Sequence, residues 1–154
     1  EIAMSDWSSD VCSSDLMIKL IIGNKGAGKT KRLIDLVNSC VENSDGNIVC
    51  IEKEPKLTYD VSSKARLLET ETYAINGHKA FYGFLAGICA GNYDVTDILV
   101  DATFKIVGRD YEKLVQFFDM LSALSEASDV DFYFTLSCDK EDLPVEIFDY
   151  CEEA

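Results

Sequence analysis

Residues 17–30 read Met17-Ile18-Lys19-Leu20-Ile21-Ile22-Gly23-Asn24-Lys25-Gly26-Ala27-Gly28-Lys29-Thr30. An apolar run with the length of a buried strand ends directly in the pattern G-x-x-x-x-G-K-[ST]. Beyond Thr30, the residues Leu33, Ile34, Val37, Cys40 and Val41 recur at helical spacing, which predicts a helix from Lys29 to about Asn43. Strand, glycine-rich turn and helix follow one another without a gap, and that order decides the fold class.

The turn also carries chemistry. Glycines at 23, 26 and 28 permit backbone angles and close approaches that side chains forbid, so successive N–H groups can turn inward around a phosphate. The helix beginning near Gly28 adds the positive end of its dipole. Gly23, Asn24, Lys25, Gly26, Ala27, Gly28, Lys29 and Thr30 are therefore the expected nucleotide-binding set. Lys29 is expected to reach the β- and γ-phosphate oxygens of ATP or another NTP, and the Thr30 hydroxyl to ligate Mg²⁺.

The first sixteen residues are set apart. Codons for Ser5–Leu16 spell a common short-read sequencing adapter, so the expected native start is Met17, and 1–16 is expected to be a disordered tail. Residues 17–154 then make 138 residues, the size of one domain. The chain carries a net charge of −14; without the four acids Glu1, Asp6, Asp10 and Asp15 the figure is −10. Such acidity argues against nucleic acid and anionic membranes as partners, unless Lys25, Lys29, Lys31 and Arg32 gather into a basic patch. A protein partner or self-association stays open. The cysteines at 40, 50, 89, 138 and 151 show no C-x-x-C pair, and read as small buried hydrophobes in a reducing cytoplasm. Ala80 to Gly91, the most apolar helical stretch, is too short to span a membrane.

Further along, Ile48–Ile51 predicts a second strand in a parallel βαβ unit, with Glu52 at its carboxyl end, where ligands of open α/β sheets bind. Ala65–Leu68 suggests a short edge strand. A helix is expected from His78 to Ala90, with His78 at the surface and Gly83, Gly87 and Gly91 forming a ridge for close packing. Ile98-Leu99-Val100-Asp101 predicts a strand ending in an acid. Arg109–Ala127 predicts an amphipathic helix with Tyr111, Leu114, Val115, Phe118, Leu121 and Leu124 inward. Asp131–Ser137 is the last clear strand, and a short helix near Pro144 is expected to end in a solvated Glu152-Glu153.

This order resembles the P-loop NTPase superfamily, most closely its RecA-like and thymidine-kinase-like branch, in which a further strand separates the two motif strands in space. The resemblance implies a three-layer α/β/α fold with a small, mostly parallel sheet. It also implies that Gly23–Thr30 match Walker A, that Asp101 matches the Walker B acid and joins Thr30 at the metal, and that Thr135 or Ser137 stands where a γ-phosphate sensor is placed. Within the superfamily the chain looks like small bacterial proteins labelled twitching-motility (pilus-retraction) ATPases. One departure matters: Ala102 and Thr103 follow Asp101 where hydrolytic members commonly have a water-orienting glutamate. Slow or partner-stimulated hydrolysis is then expected, with Lys29, Asp101 and Glu52 as the catalytic candidates; Arg109 reads first as a plain helix-start residue, with a γ-phosphate contact as its alternative. The alternatives are a nucleoside kinase of thymidine-kinase type and a non-enzymatic nucleotide-binding interaction module.

Overall fold

The computed structural model describes residues 16–154; the expected adapter-derived tail, up to residue 15, lies outside them. Six strands form one parallel sheet. They are β1 (Ile18–Gly23), β2 (Asn47–Glu52), β3 (Arg66–Glu69), β4 (Val95–Val100), β5 (Asp131–Ser137) and β6 (Cys151–Glu153), in the spatial order β3-β2-β4-β5-β1-β6. Every pairing is parallel. The first and second strands belong to one βαβ unit but are not neighbours, because β4 and β5 stand between them. The phosphate-loop strand β1 and the Asp101 strand β4 are separated by β5, the expected intervening strand.

Alternation along each strand produces the layers. Ile48, Cys50, Leu99 and Ile21 face one core with Leu33 and Val37 of α1 (Lys29–Asn43). Val49, Ile51, Ile98, Val100, Phe132 and Phe134 face the other, under α2 (His78–Gly91) and α4 (Tyr111–Ser128). Phe117 and Phe118 of α4 both meet Phe134 edge-on, with ring centroids 5.8 and 5.3 Å apart. Burying each such ring contributes roughly 1.5–3 kcal/mol, so this aromatic seam pins α4 to the centre of the sheet. Asp110 caps α4, accepting from the amides of Glu112 and Lys113. Phe117, fully buried, joins the inner stripe; Tyr111, Val115 and Leu124 are only half buried.

Three expectations are corrected. After the short helix, a 3-10 turn at Val145–Asp149, the tail is a strand and not a loose end: Cys151–Glu153 adds β6 beside β1, with Glu152 half buried and Glu153 exposed as expected. A three-residue strand is too short to show a period, yet it covers what would be an open edge. His78 is buried, 9% exposed, because the Gly77 amide donates to the Ile106 carbonyl (2.9 Å) and draws the start of α2 against a short helix, α3 (Thr103–Val107), with no sequence signal. Gly83, Gly87 and Gly91 pack against nothing: the space where a Cβ would stand is empty within 4 Å at each. Thr96, not a glycine ridge, marks the tightest approach, at Gly46.

Candidate functional site

The carboxyl ends of the strands carry the expected site residues. Gly26 and Gly28 take φ of 87° and 86°, a region closed to most side chains, and a Cβ at Gly23 would stand 3.0 Å from that of Ala27. The loop closes on itself through the Ala27 amide and the Asn24 carbonyl, and α1 starts at Gly28. Lys29 arches across the turn and donates Nζ to the Asn24 carbonyl at 3.0 Å. The Asn24 amide in turn donates to Asp139 (2.6 Å), tying the loop to the segment after β5.

Thr30 and Asp101, 71 positions apart, meet here. The threonine hydroxyl lies 3.2 and 3.3 Å from the two carboxylate oxygens. Thr135, buried on β5, donates to the same carboxylate at 2.9 Å while accepting from the Ala102 amide at 2.7 Å. That second bond holds Ala102 in the left-handed region, φ 53°, a conformation costing a non-glycine residue of order 1 kcal/mol. Thr135 is thus the brace of Asp101, and the Ser137 carbonyl accepts from the Arg109 guanidinium (2.8 Å), which also lies 4.5 Å above the Phe104 ring.

Glu52 ends β2, the strand beside β4. The residue is buried, 3% exposed, and its two oxygens accept from the amides of Lys56 and Leu57 at 3.0 and 3.3 Å. Burial raises its pKa. The two amide bonds oppose that rise, and the charges of Glu69 and Asp101 reinforce it.

These residues share one cavity of about 870 Å³, near the upper end of the range of roughly 300–1,000 Å³ for small-molecule sites. Seven of the chain's fourteen Lys and Arg residues line it: Lys25, Lys29 and Lys31 from the loop and α1, Lys53 and Lys56 after β2, and Lys105 and Arg109 after β4. Only Glu52, Glu54 and Asp101 oppose them. Three of the four residues named for a basic patch are present, and Arg32 is not among the lining residues. The rim is strongly cationic on an acidic protein, so the field is focused on this mouth.

No family model matches the chain, and no curated protein does. Among solved structures, the fold is similar to the pCW3 conjugation coupling protein TcpA in its monomer form with ATPgS, with a TM-score of 0.52 and 16% identity over 88% of this chain. The fold is of the P-loop NTPase type. The chain spans about half that protein's length, 48%. The narrower likeness to twitching-motility ATPases has no matching family or curated relative beside it. Among the described residues no helix is long and apolar enough to cross a membrane.

Sequence reasoning set Lys53 at the ligand-binding end of the second strand without a role, and passed over Lys56, Lys105 and Phe104. Lys53 and Lys56 carried a usable signal, since they follow a strand end at the ligand-binding edge. Lys105 had none, because α3 was not foreseen.

Proposed function

We propose that the protein binds an NTP with Mg²⁺ and hydrolyses it slowly on its own. The observation that carries this reading is the meeting of Thr30 with Asp101 at the mouth of the phosphate loop. In this arrangement the loop amides and Lys29 receive the phosphates, with Lys29 exchanging the Asn24 carbonyl for phosphate oxygens. Thr30 and Asp101 would hold Mg²⁺, which neutralises charge on the β- and γ-phosphates when bound. Two protein ligands suffice, since Mg²⁺ keeps several waters and takes phosphate oxygens. The ATPgS in the TcpA structure supports the choice of ligand.

Glu52 stands at the reactive end, one strand beyond Asp101. A carboxylate has about four lone-pair positions, and two here are engaged by backbone amides. The remainder can orient a water, but shared acceptor capacity and the absence of an acid at Ala102 keep turnover slow. A partner that adds a base or a cation would accelerate it.

Isothermal titration with Mg-ATP tests the reading in wild type, Lys29→Ala and Asp101→Ala. Wild type is expected to bind, Lys29→Ala to bind weakly, and Asp101→Ala to lose its dependence on Mg²⁺. Equal Mg-ATP affinity in wild type and Asp101→Ala would remove Asp101 from the metal site.

A further inference from the structure

Asn24, Lys25, Gly26, Ala27 and Gly28, the turn of the phosphate loop, are exposed in succession, and two of them are glycines. Fixing such a turn in one shape costs more backbone entropy than fixing a turn without glycine. Within it, the Ala27 amide donates to the Asn24 carbonyl at 3.0 Å. Among the described residues, a single hydrogen bond ties these positions to a distant part of the chain. The Asn24 side-chain amide donates to the Asp139 carboxylate at 2.6 Å, across 115 positions.

The two partners of that bond are not equally free. Asp139 lies two residues beyond Ser137, the end of β5, which is in register with Gly23 at the end of β1. Its flanks are anchored: Cys138 and Leu143 are buried, and the Asp139 carbonyl accepts from the Asp142 amide at 3.0 Å. Lys140, in the same turn, pairs with Glu153 of β6 at 3.1 Å. Asp139 is therefore the fixed end, and Asn24 is what it holds. Asn24 in turn sets the loop, because its carbonyl takes both the Ala27 amide and the Lys29 ammonium, each at 3.0 Å. Asp139 itself is not among the residues lining the cavity, so it reaches a ligand only through Asn24.

We propose that Asp139 is a positioning residue for the phosphate loop, whose carboxylate holds Asn24 so that the loop is shaped for phosphate before a nucleotide arrives. The inference rests on the nucleotide reading above and adds to it a residue outside the loop motif. Preorganisation lowers the entropy lost on binding, so the bond is expressed as nucleotide affinity. A carboxylate near a phosphate site also repels, and the two effects have opposite signs. Asp139→Asn separates them, since it keeps an acceptor oxygen for Asn24 and removes the charge.

The test is calorimetric titration of Mg-AMPPNP into wild type, Asp139→Ala, Asp139→Asn, Asn24→Ala and the double variant Asn24→Ala/Asp139→Ala, with thermal unfolding of each. Asp139→Ala is expected to bind about fivefold more weakly than wild type, the worth of one hydrogen bond, at an unchanged melting temperature. Asp139→Asn is expected to bind as tightly as wild type or more tightly. The double variant is expected to bind no more weakly than Asn24→Ala, because the two side chains act as one unit. Lys140→Ala, which disturbs the same turn without touching Asn24, is expected to keep wild-type affinity. Unchanged or tighter binding by Asp139→Ala overturns the positioning role. So does an equal loss in Asp139→Asn or in Lys140→Ala, additive losses in the double variant, or a melting temperature that falls with the affinity. Failure of wild type to bind Mg-AMPPNP is seen first, and removes the nucleotide reading together with its extension.

Discussion

The two ends of β4 each carry an aspartate, and the surroundings of Asp101 and Asp97 could hardly differ more. At the carboxyl end, Asp101 opens on a large cationic cavity and is braced by two threonine hydroxyls. At the amino end, Asp97 is buried, 9% exposed, and lies in register beside Asp131 on the next strand, so the two acids share one face of strands about 4.8 Å apart. Lys19 is the cation near both; its ammonium also stands 5.9 Å from the Tyr133 ring. Buried acids alone therefore do not mark a site in this fold. What distinguishes the carboxyl end is open volume, surplus cations and a glycine-rich loop at a helix start, and the amino end has a carboxylate pair without those three.

The sharpest way to break this contrast is to exchange the lysines. Lys29→Ala is expected to weaken Mg-ATP binding by ~10- to 100-fold, the worth of charge-assisted bonds of about 1.5–3 kcal/mol. Lys19→Ala, on the same strand-and-loop segment, is expected to leave that affinity unchanged and to lower the melting temperature. Calorimetric titration and thermal unfolding of both variants separate the two ends. Equal effects on binding would mean that the ends are coupled and the contrast is false.

Thr135→Val probes the brace. Removing the hydroxyl leaves the Ala102 amide without its partner and Asp101 with one fewer donor, which costs about 1–3 kcal/mol where the group stays buried. Chemical denaturation is expected to show that loss, accompanied by weaker Mg²⁺ dependence of nucleotide binding. A stability loss with unchanged Mg²⁺ dependence would make Thr135 a core residue only.

How much of this was legible beforehand follows from what each feature needs. The loop, the helix after it and Asp101 are local: glycine at left-handed positions, a helical apolar period and an apolar run ending in an acid each fit within fifteen residues. The edge strand β3 is read from the local run Ala65–Leu68, and the intervening strand from the resemblance to the P-loop NTPase superfamily. The Thr135 brace, the cationic chamber and the buried His78 arise from residues brought together across the sheet, and no local period announces them. β6 and α3 failed for another reason, since three and five residues are too few to display a repeat. The glycine ridge misled because spacing shows that a face is smooth, and not that anything lies against it.

The amino end makes a prediction in pH. Burial raises the Asp97 pKa, with the Thr96 hydroxyl and Lys19 lowering it only in part; burial likewise raises Asp131, reinforced by Asp97 and Asp129 and opposed by Lys19. Cys40 and Tyr133 face the same pair, their own pKa values pushed up to about 11 and about 12, chiefly by burial. A carboxyl group whose folded pKa exceeds its unfolded value, about 3.9 for Asp, gives its full stabilisation below that value and loses it as pH rises through the folded pKa. Asp97→Asn abolishes this loss. The variant is expected to melt above wild type near pH 7 and to lose that advantage on acidification below about pH 4. Asp101→Asn, by contrast, is expected to act on nucleotide binding. An Asp97→Asn advantage independent of pH would trace the gain to packing and not to ionisation.

The smallest expected effect lies at Gly87, beside a hollow of about 220 Å³ that Val49, Leu68 and Ile88 help to line. This hollow lacks the cations and amides of the large cavity, Arg66 being its only charged wall. An exposed glycine inside a helix costs roughly 0.5–1 kcal/mol relative to alanine through backbone entropy, and nothing within 4 Å would resist the added methyl group. Gly87→Ala is therefore expected to stabilise the fold by about that amount in chemical denaturation, with Mg-ATP affinity unchanged. Stabilisation without any functional change would class the glycine ridge with the amino-end carboxylates, as a feature of the chain that carries no ligand chemistry. Destabilisation would mean that the helix approaches another surface at this point in solution, and the contrast between the two ends would then need a second occupied face.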